Sequence, residues 1–295
     1  MPILTDIIEL KEAIEDSKRK KLKFRIRNPF KKIKLDFDKF DNVLYAKDFE
    51  ECDPRQCDGK WITGSEKNDL IFDSRNDDYI YTFPKDEELT SLDSFTGNDL
   101  VLAGKGNDQI TGDKGADSLH GGDGDDGIIA WKGNDFLVGG KGHDNINGGA
   151  GDDTIEGGKG GDVLEGGFRQ LAEPDENGDQ SYLSDNDYVS GGKGDDIIKA
   201  LDGNDILIGG SGIDSFSIAN ETIEGIPGLH IIRDFERGEN VSFISLDRQE
   251  QRELEIDSYG ARSSQVINGN GDTLLILEKV DPNDIALNNA EISFI

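Results

Sequence analysis

Three histidines, two cysteines and one methionine are all that this 295-residue chain has of those residues, and aromatic side chains make up only 7% of it. So little imidazole and thiol leaves no basis for a zinc or soft transition-metal centre. Cys52 and Cys57, in CDPRQC, have no second Cys or His pair near them to complete a zinc set, so a local disulfide and two free thiols are the readings that stay open. No apolar run approaches the roughly 18 residues of a membrane-spanning helix. HExxH and GxSxG are absent, and so is a phosphate loop, since Gly158-Lys159 and Gly192-Lys193 are not followed by Ser or Thr. The GxGxxG match at Gly122, Gly124 and Gly127 is a by-product of repetition. His120 and His230 fall at strand positions that read as surface or packing sites, and His143 lies inside a turn. Basic residues are also scarce, 32 Lys and Arg against 62 Asp and Glu, for a net charge of -30, which repels nucleic acid and anionic lipid.

The basic residues are concentrated at one end. Residues 1–60 hold 15 of them against 13 acidic ones, so residues 61–295 carry a charge of -32. The N-terminal segment spaces Ile3, Leu4, Ile7, Ile8, Leu10 and Ile14 as an amphipathic helix does, with acids between them, unlike a secretory signal peptide. Residues 17–34 then bring ten basic residues and no acid. Leu22, Phe24 and Ile26 alternate as in a strand, and Ile33, Leu35 and Phe37 follow the Asn28-Pro29 break, so a β-hairpin with a basic face is expected.

From residue 97 the chain repeats with a period of nine. Asp99, Asp108, Asp117, Asp126, Asp135, Asp144, Asp153 and Asp162 follow at that interval, then, after a gap of 25, Asp187, Asp196, Asp205 and Asp214. Two residues before each stands a glycine, except where Asp185 replaces it. Two residues after each stands an apolar side chain, from Val101 and Ile110 to Leu207 and Phe216. Glycine early and one large apolar residue eighth describe a tight turn followed by a short strand, with the eighth side chain pointing inward. One buried aliphatic residue contributes roughly 1.5–3 kcal/mol, whereas ordering the chain costs on the order of 1–2 kcal/mol per residue, so apolar burial does not hold such a fold alone. Carboxylates that stack every 18 residues, at a strand spacing of about 5 Å, repel by about 3 kcal/mol at an effective dielectric near 20. A hard divalent cation that accepts carboxylate and carbonyl oxygens in flexible geometry answers both problems, and calcium fits better than magnesium or zinc.

The units GGKGHDNIN (139–147), GGAGDDTIE, GGKGGDVLE and GGKGDDIIK resemble the nonapeptide of the RTX, or haemolysin-type, calcium-binding family, and the likeness runs over residues 94–218. The resemblance implies an all-β fold, a parallel β-roll of stacked half-turns alternating between two sides, with calcium between turns 18 residues apart. It makes the twelve sixth-position aspartates the side-chain ligands. Asn98, Asn107 and Asn134 come in beside them, with turn glycines such as Gly104, Gly106, Gly122, Gly124, Gly140, Gly142, Gly149 and Gly151 supplying carbonyls. Roughly six to ten calcium ions are expected.

Four regions follow: residues 1–60, helix and basic hairpin; 61–93, degenerate turns in which Asp69 with Ile71 and Asp78 with Ile80 keep the phase; 94–218, the roll, with an insertion at 168–184; and 219–295, a β-rich cap and possible type I secretion region. The insertion reads as a solvated loop: Asp175, Asn177 and Asp179 resemble the start of an EF-hand loop, but Gln180 and Asn186 break the pattern. The segment IIRDFERGENVSF resembles the I-x-D-F-x-x-G-x-D-x-I motif that follows the roll in secreted relatives, with Glu239 and Asn240 shifting the acidic position.

The expectation is a secreted or cell-surface, noncatalytic calcium-binding protein that folds on binding calcium after export. Type I secretion machinery and surface polysaccharide are its candidate partners; nucleic acid is not. The 60 to 90 residues before the roll are too few for the catalytic domains of enzymes in this family. An accessory module of a polysaccharide-modifying enzyme, or a saccharide-binding adhesin, is the rival reading. A cytolysin would need an apolar inserting region. An ice-binding roll would want Thr and Asn where the third turn position is mostly lysine (Lys105, Lys114, Lys132, Lys141, Lys159, Lys193).

Overall fold

A computed structural model describes residues 24–27, 32–35, 42–45, 61–63, 69–72, 79–82, 97–168, 185–219, 222–223, 226–244, 249–260, 262–288 and 291–294. The predicted N-terminal helix, Cys52, Cys57, Asp78 and the inserted loop at 169–184 lie outside the described residues. Residues 1–41 form one unit and 42–295 another. In the first, Phe24–Arg27 pairs antiparallel with Lys32–Leu35, Phe24 opposite Leu35 and Arg27 opposite Lys32, on either side of Asn28-Pro29.

The second unit is built from two long sheets, of twelve and eleven strands. Successive half-turns feed them alternately. The first sheet stacks Leu100–Lys105, Ser118–Asp123, Phe136–Lys141, Thr154–Lys159, Tyr188–Lys193 and Ile206–Ser211. The second stacks Gln109–Thr111, Gly127–Ile129, Asn145–Gly149, Val163–Gly167, Ile197–Ala200 and Ser215–Ala219. All these neighbours are parallel and one full turn apart, as in Leu119 opposite Leu137 and Ile128 opposite Ile146. This is the parallel β-roll that the resemblance of the repeat units implies.

The core is a double file of single residues. Val101, Leu119, Leu137, Ile155, Val189 and Leu207 line one sheet, and Ile110, Ile128, Ile146, Leu164, Ile198 and Phe216 the other, each 0–1% exposed. The earlier turns keep the nine-residue spacing between themselves but not the phase of the roll, since Ile71 pairs with Val101 and Ile80 with Ile110 across 30 residues. Pairing still places both in the core files, fully buried. Asn42–Tyr45 and Trp61–Thr63 add a further strand to each sheet. The inserted loop leaves the stack intact, because Thr154–Lys159 pairs directly with Tyr188–Lys193 and Val163–Gly167 with Ile197–Ala200.

At the C-terminal end the repeat stops but pairing continues. His230–Ile232 follows Ile206–Ser211 and is itself covered by Thr273–Leu277, while Asn240–Ile244 follows Ser215–Ala219 and is covered by Glu291–Phe294. The last roll strands are thus not left as open templates for another chain. Phe216 meets Phe235, which stacks on Phe294, so the aromatic residues concentrate where the narrow core widens into this cap.

A single-file core leaves a truncated residue few neighbours that can close the void. Leu137→Ala should cost about 2–5 kcal/mol, measured by denaturant unfolding in excess calcium; a loss below about 1 kcal/mol would mean that the file contributes little.

Candidate metal centre

Alternation along each half-turn carries three positions inward: the aspartate, the aliphatic residue two further on, and the small residue two beyond that. The spacing alone assigns only the aliphatic residue to the interior. The inward face is longer because the strand continues into the next turn, so that Ala103, Ala130 and Ala200 are buried as well. All twelve repeat aspartates are 0–3% exposed.

They form two files. In one, Asp117 Oδ1 accepts the backbone N–H of Asp99, Asp135 that of Asp117, Asp153 that of Asp135, Asp187 that of Asp153, and Asp205 that of Asp187. In the other, Asp126, Asp144, Asp162, Asp196 and Asp214 each take the N–H of the aspartate one layer below. Every one of these bonds is 2.7–2.9 Å long. Both files run unbroken past the insertion, where the sequence separation is 34 instead of 18. One carboxylate oxygen is therefore consumed by the turn below.

The other oxygen is engaged in Asp117, by the Asp113 N–H, and in Asp205, by His230, but in six of the file aspartates it meets no donor. Oδ2 of Asp135, Asp144, Asp153, Asp162, Asp196 and Asp214 is buried without a hydrogen-bond partner. Buried carboxylate oxygens without a partner are costly unless the group is protonated or meets a cation. Burial is the main cause that raises these carboxyls above the ordinary aspartate range. Asp117 and Asp153 rise to about 9, Asp187 to about 8, and Asp135, Asp144 and Asp196 to about 7. For Asp117, Asp153 and Asp187 the next aspartates in the file add to the effect, while the backbone N–H bond partly offsets it.

The turn glycines supply the second half of the cradle. Gly140 has φ 120° and Gly142 φ 132°, and a Cβ on either would overlap the carbonyl oxygen of Gly122 or Gly124 one layer below. Stacked glycine carbonyls thus lie where side chains would otherwise stand, beside files of carboxylate oxygens. An all-oxygen, flexible donor set of this kind suits calcium.

The side chains of Asn98, Asn107 and Asn134 sit on the outside. Their Oδ1 atoms accept the N–H of Ala116, Asp125 and Asp152, stitching one turn to the next. His143 holds a similar exposed place, its Nδ1 2.9 Å from the Gly161 carbonyl oxygen and 3.0 Å from the Gly161 nitrogen. His120 packs on Phe136, with ring centroids 5.7 Å apart, and burial lowers its imidazole to about 4.

Several acidic residues that the period does not predict also enter the interior. Asp113 replaces a turn glycine, and its carboxylate lies with those of Asp99 and Asp117 within 4.8 Å, all three buried. Asp185 replaces the glycine at the end of the insertion, accepts Gly151 N–H at 3.0 Å, and keeps Oδ2 buried and without a partner. The signal for both is a carboxylate at a glycine position of an otherwise regular unit. Past the repeat, Glu239 is buried, and its carboxyl rises to about 7 through burial and the nearby Asp214 and Asp234.

The sequence model of the RTX calcium-binding nonapeptide repeat matches four times, over residues 61–82, 93–128, 132–164 and 183–216. No curated protein matches the chain.

Without metal, the folded roll binds more protons than the unfolded chain between the ordinary value of 3.8 and the raised values of about 7 to 9, so its stability falls as pH rises through that interval. Acidifying a chelated sample from about pH 9 to about pH 5 should therefore raise the β signal in far-ultraviolet circular dichroism; a signal that falls instead would show that these carboxyls are not buried. Gly140→Ala, which places a Cβ against the Gly122 carbonyl, should move the calcium midpoint of folding upward, and an unchanged midpoint would mean the glycine stack is dispensable.

Proposed function

From the RTX calcium-binding nonapeptide repeats that run over residues 61–216, we propose that this chain is a secreted or cell-surface, noncatalytic protein whose roll folds around calcium after export. The observation that carries this reading is the pair of aspartate files, in which ten carboxylates spend one oxygen on the turn below and six hold the other buried without a partner. The sixth-position aspartates would hold the ions together with the turn carbonyls. Bound calcium supplies the positive charge that lets ionised carboxylates stand one layer apart.

The chain's own residues do the rest. At low free calcium the -32 segment repels itself and the aspartates favour the hydrated, unfolded chain, the state that a narrow export channel admits. Where calcium is abundant, binding to the folded form alone stabilises it by RT ln(1 + [L]/Kd) per independent site, about 2.7 kcal/mol at a hundredfold excess over Kd. Six oxygens without a protein partner give this coupling leverage at many points along one continuous stack.

A second reading, a module that binds anionic saccharide, is favoured by one outward feature. Lys141, Lys159 and Lys193 are exposed and in register on adjacent strands, a short row of positive charge on an acidic protein. Retention on a polyuronate column that Lys159→Glu abolishes would support it, and equal retention on a neutral glycan would refute it.

The main proposal is tested by titrating the chelated full-length protein with calcium, with magnesium as control, and following far-ultraviolet circular dichroism. A cooperative gain of β structure specific to calcium is expected. A fully folded roll in excess chelator at neutral pH would refute folding on calcium, and with it the export argument.

A further inference from the structure

The two aspartate files end differently, and neither end lies within the nine-residue period. Beyond Asp205, Ile231 pairs with Ile206 and its N–H donates to the Asp205 carbonyl at 2.8 Å, as Ile206 N–H does to Asp187. The residue before Ile231, His230, therefore occupies the slot of the next aspartate, 25 residues on instead of 18. Beyond Asp214, Asn240 pairs with Ser215 and its N–H reaches the Asp214 carbonyl, which puts Glu239 in the corresponding slot of the other file.

What faces each slot differs too. His230 and Asp205 side chains are each 1% exposed, and Nδ1 stands 3.0 Å from Asp205 Oδ2. Since Asp205 Oδ1 already accepts the Asp187 N–H, both oxygens of this carboxylate are engaged by the protein. Asp214 is fully buried, with Oδ1 taken by the Asp196 N–H and Oδ2 without a partner, and the slot above it holds a second carboxylate. Glu239 is held there by its own turn, Oε2 accepting the Glu236 N–H at 2.7 Å. Asp234, also close by, spends both oxygens on Gly209 and Gly210 N–H groups, which leaves Asp214 and Glu239 as the carboxylates available to a cation.

We propose that Glu239, outside the repeat, completes one further calcium site against Asp214, whereas His230 closes the other file by standing in the place of both an aspartate and an ion. The inference rests on the calcium reading of the files, and deepens it by fixing where each file stops. The imidazole satisfies Asp205 from within the protein, so that gap needs no metal. Among the described residues, the Asp214–Glu239 gap has two carboxylates and no such donor.

The test is the calcium stoichiometry of the full chain, by native mass spectrometry and calorimetry, with circular dichroism in calcium to check the fold. Glu239→Gln should lose one ion and Glu236→Gln none, while His230→Asp should gain one. Unchanged stoichiometry in Glu239→Gln overturns the added site, and unchanged stoichiometry in a folded His230→Asp overturns the closing role. An anomalous difference map of the unmodified, calcium-loaded protein tests both ends without any variant. Density is expected between Asp214 and Glu239 and not between Asp205 and His230, and the opposite pattern overturns the proposal. A wild-type chain that binds no calcium at all would instead remove the underlying reading.

Discussion

Like-charged carboxylates held one strand spacing apart set the terms for everything else in this roll. The architecture needs parallel layers about 5 Å apart, and the repeat puts a buried aspartate in every half-turn. Each aspartate helps build the fold by accepting a backbone N–H from the turn below, and opposes it by bringing a charge close to the next. The same group is thus both the tie between layers and the reason they repel. A cation between layers would remove the second effect and leave the first, so that a core with one aliphatic residue per half-turn could suffice.

The two edges of the roll resolve this conflict to different degrees. Along the file from Asp108 to Asp214, the second turn position is glycine in every layer, with positive φ from Gly104 to Gly210. Along the other file that position holds Asp113, then Trp131, whose φ of 80° is unusual for a residue with a side chain. The stack enforces that conformation: the Trp131 carbonyl accepts the Ala150 N–H at 2.7 Å, and Gly149 gives the backbone room to approach. One edge is therefore a uniform ladder and the other a series of individual turns, including the one opened by the insertion. Extra carboxylates gather on the irregular edge, where Asp113, Asp185 and Asp202 are all buried.

Period and composition made the centre of this molecule legible. A nine-residue unit with one aliphatic residue leaves only one way to bury Leu119, Leu137 and Ile155 together, with one full turn between neighbours. Asp69 and Ile71 lie 30 residues before Asp99 and Val101, out of the roll's phase, and strand pairing rather than the period puts Ile71 in the core file. The outer hydrogen bonds of Asn98, Asn107 and Asn134 were not legible, since an amide beside a ligand position suits a metal and a neighbouring turn equally well in sequence. Nor was continuity across residues 169–184, because a period carries no phase information through a segment that does not repeat. Only strand pairing shows Tyr188 opposite Thr154.

A repeat cannot encode its own end, because each unit asks for another like it. Termination has to come from residues that satisfy the last layer without offering the same template again. Here the backbone accepts two more layers after the spacing has changed, and the slots they create are filled by His230 and Glu239 in place of aspartate. Beyond them Glu291–Phe294 pairs antiparallel, so on that side no further parallel layer can add in register. The aspartate files stop where their chemistry changes, while the sheets continue for three strands beyond His230–Ile232 and two beyond Asn240–Ile244 before they end. Charge and backbone pairing are thus closed by separate devices at separate layers, and the aspartate files end at side chains that the period itself does not contain.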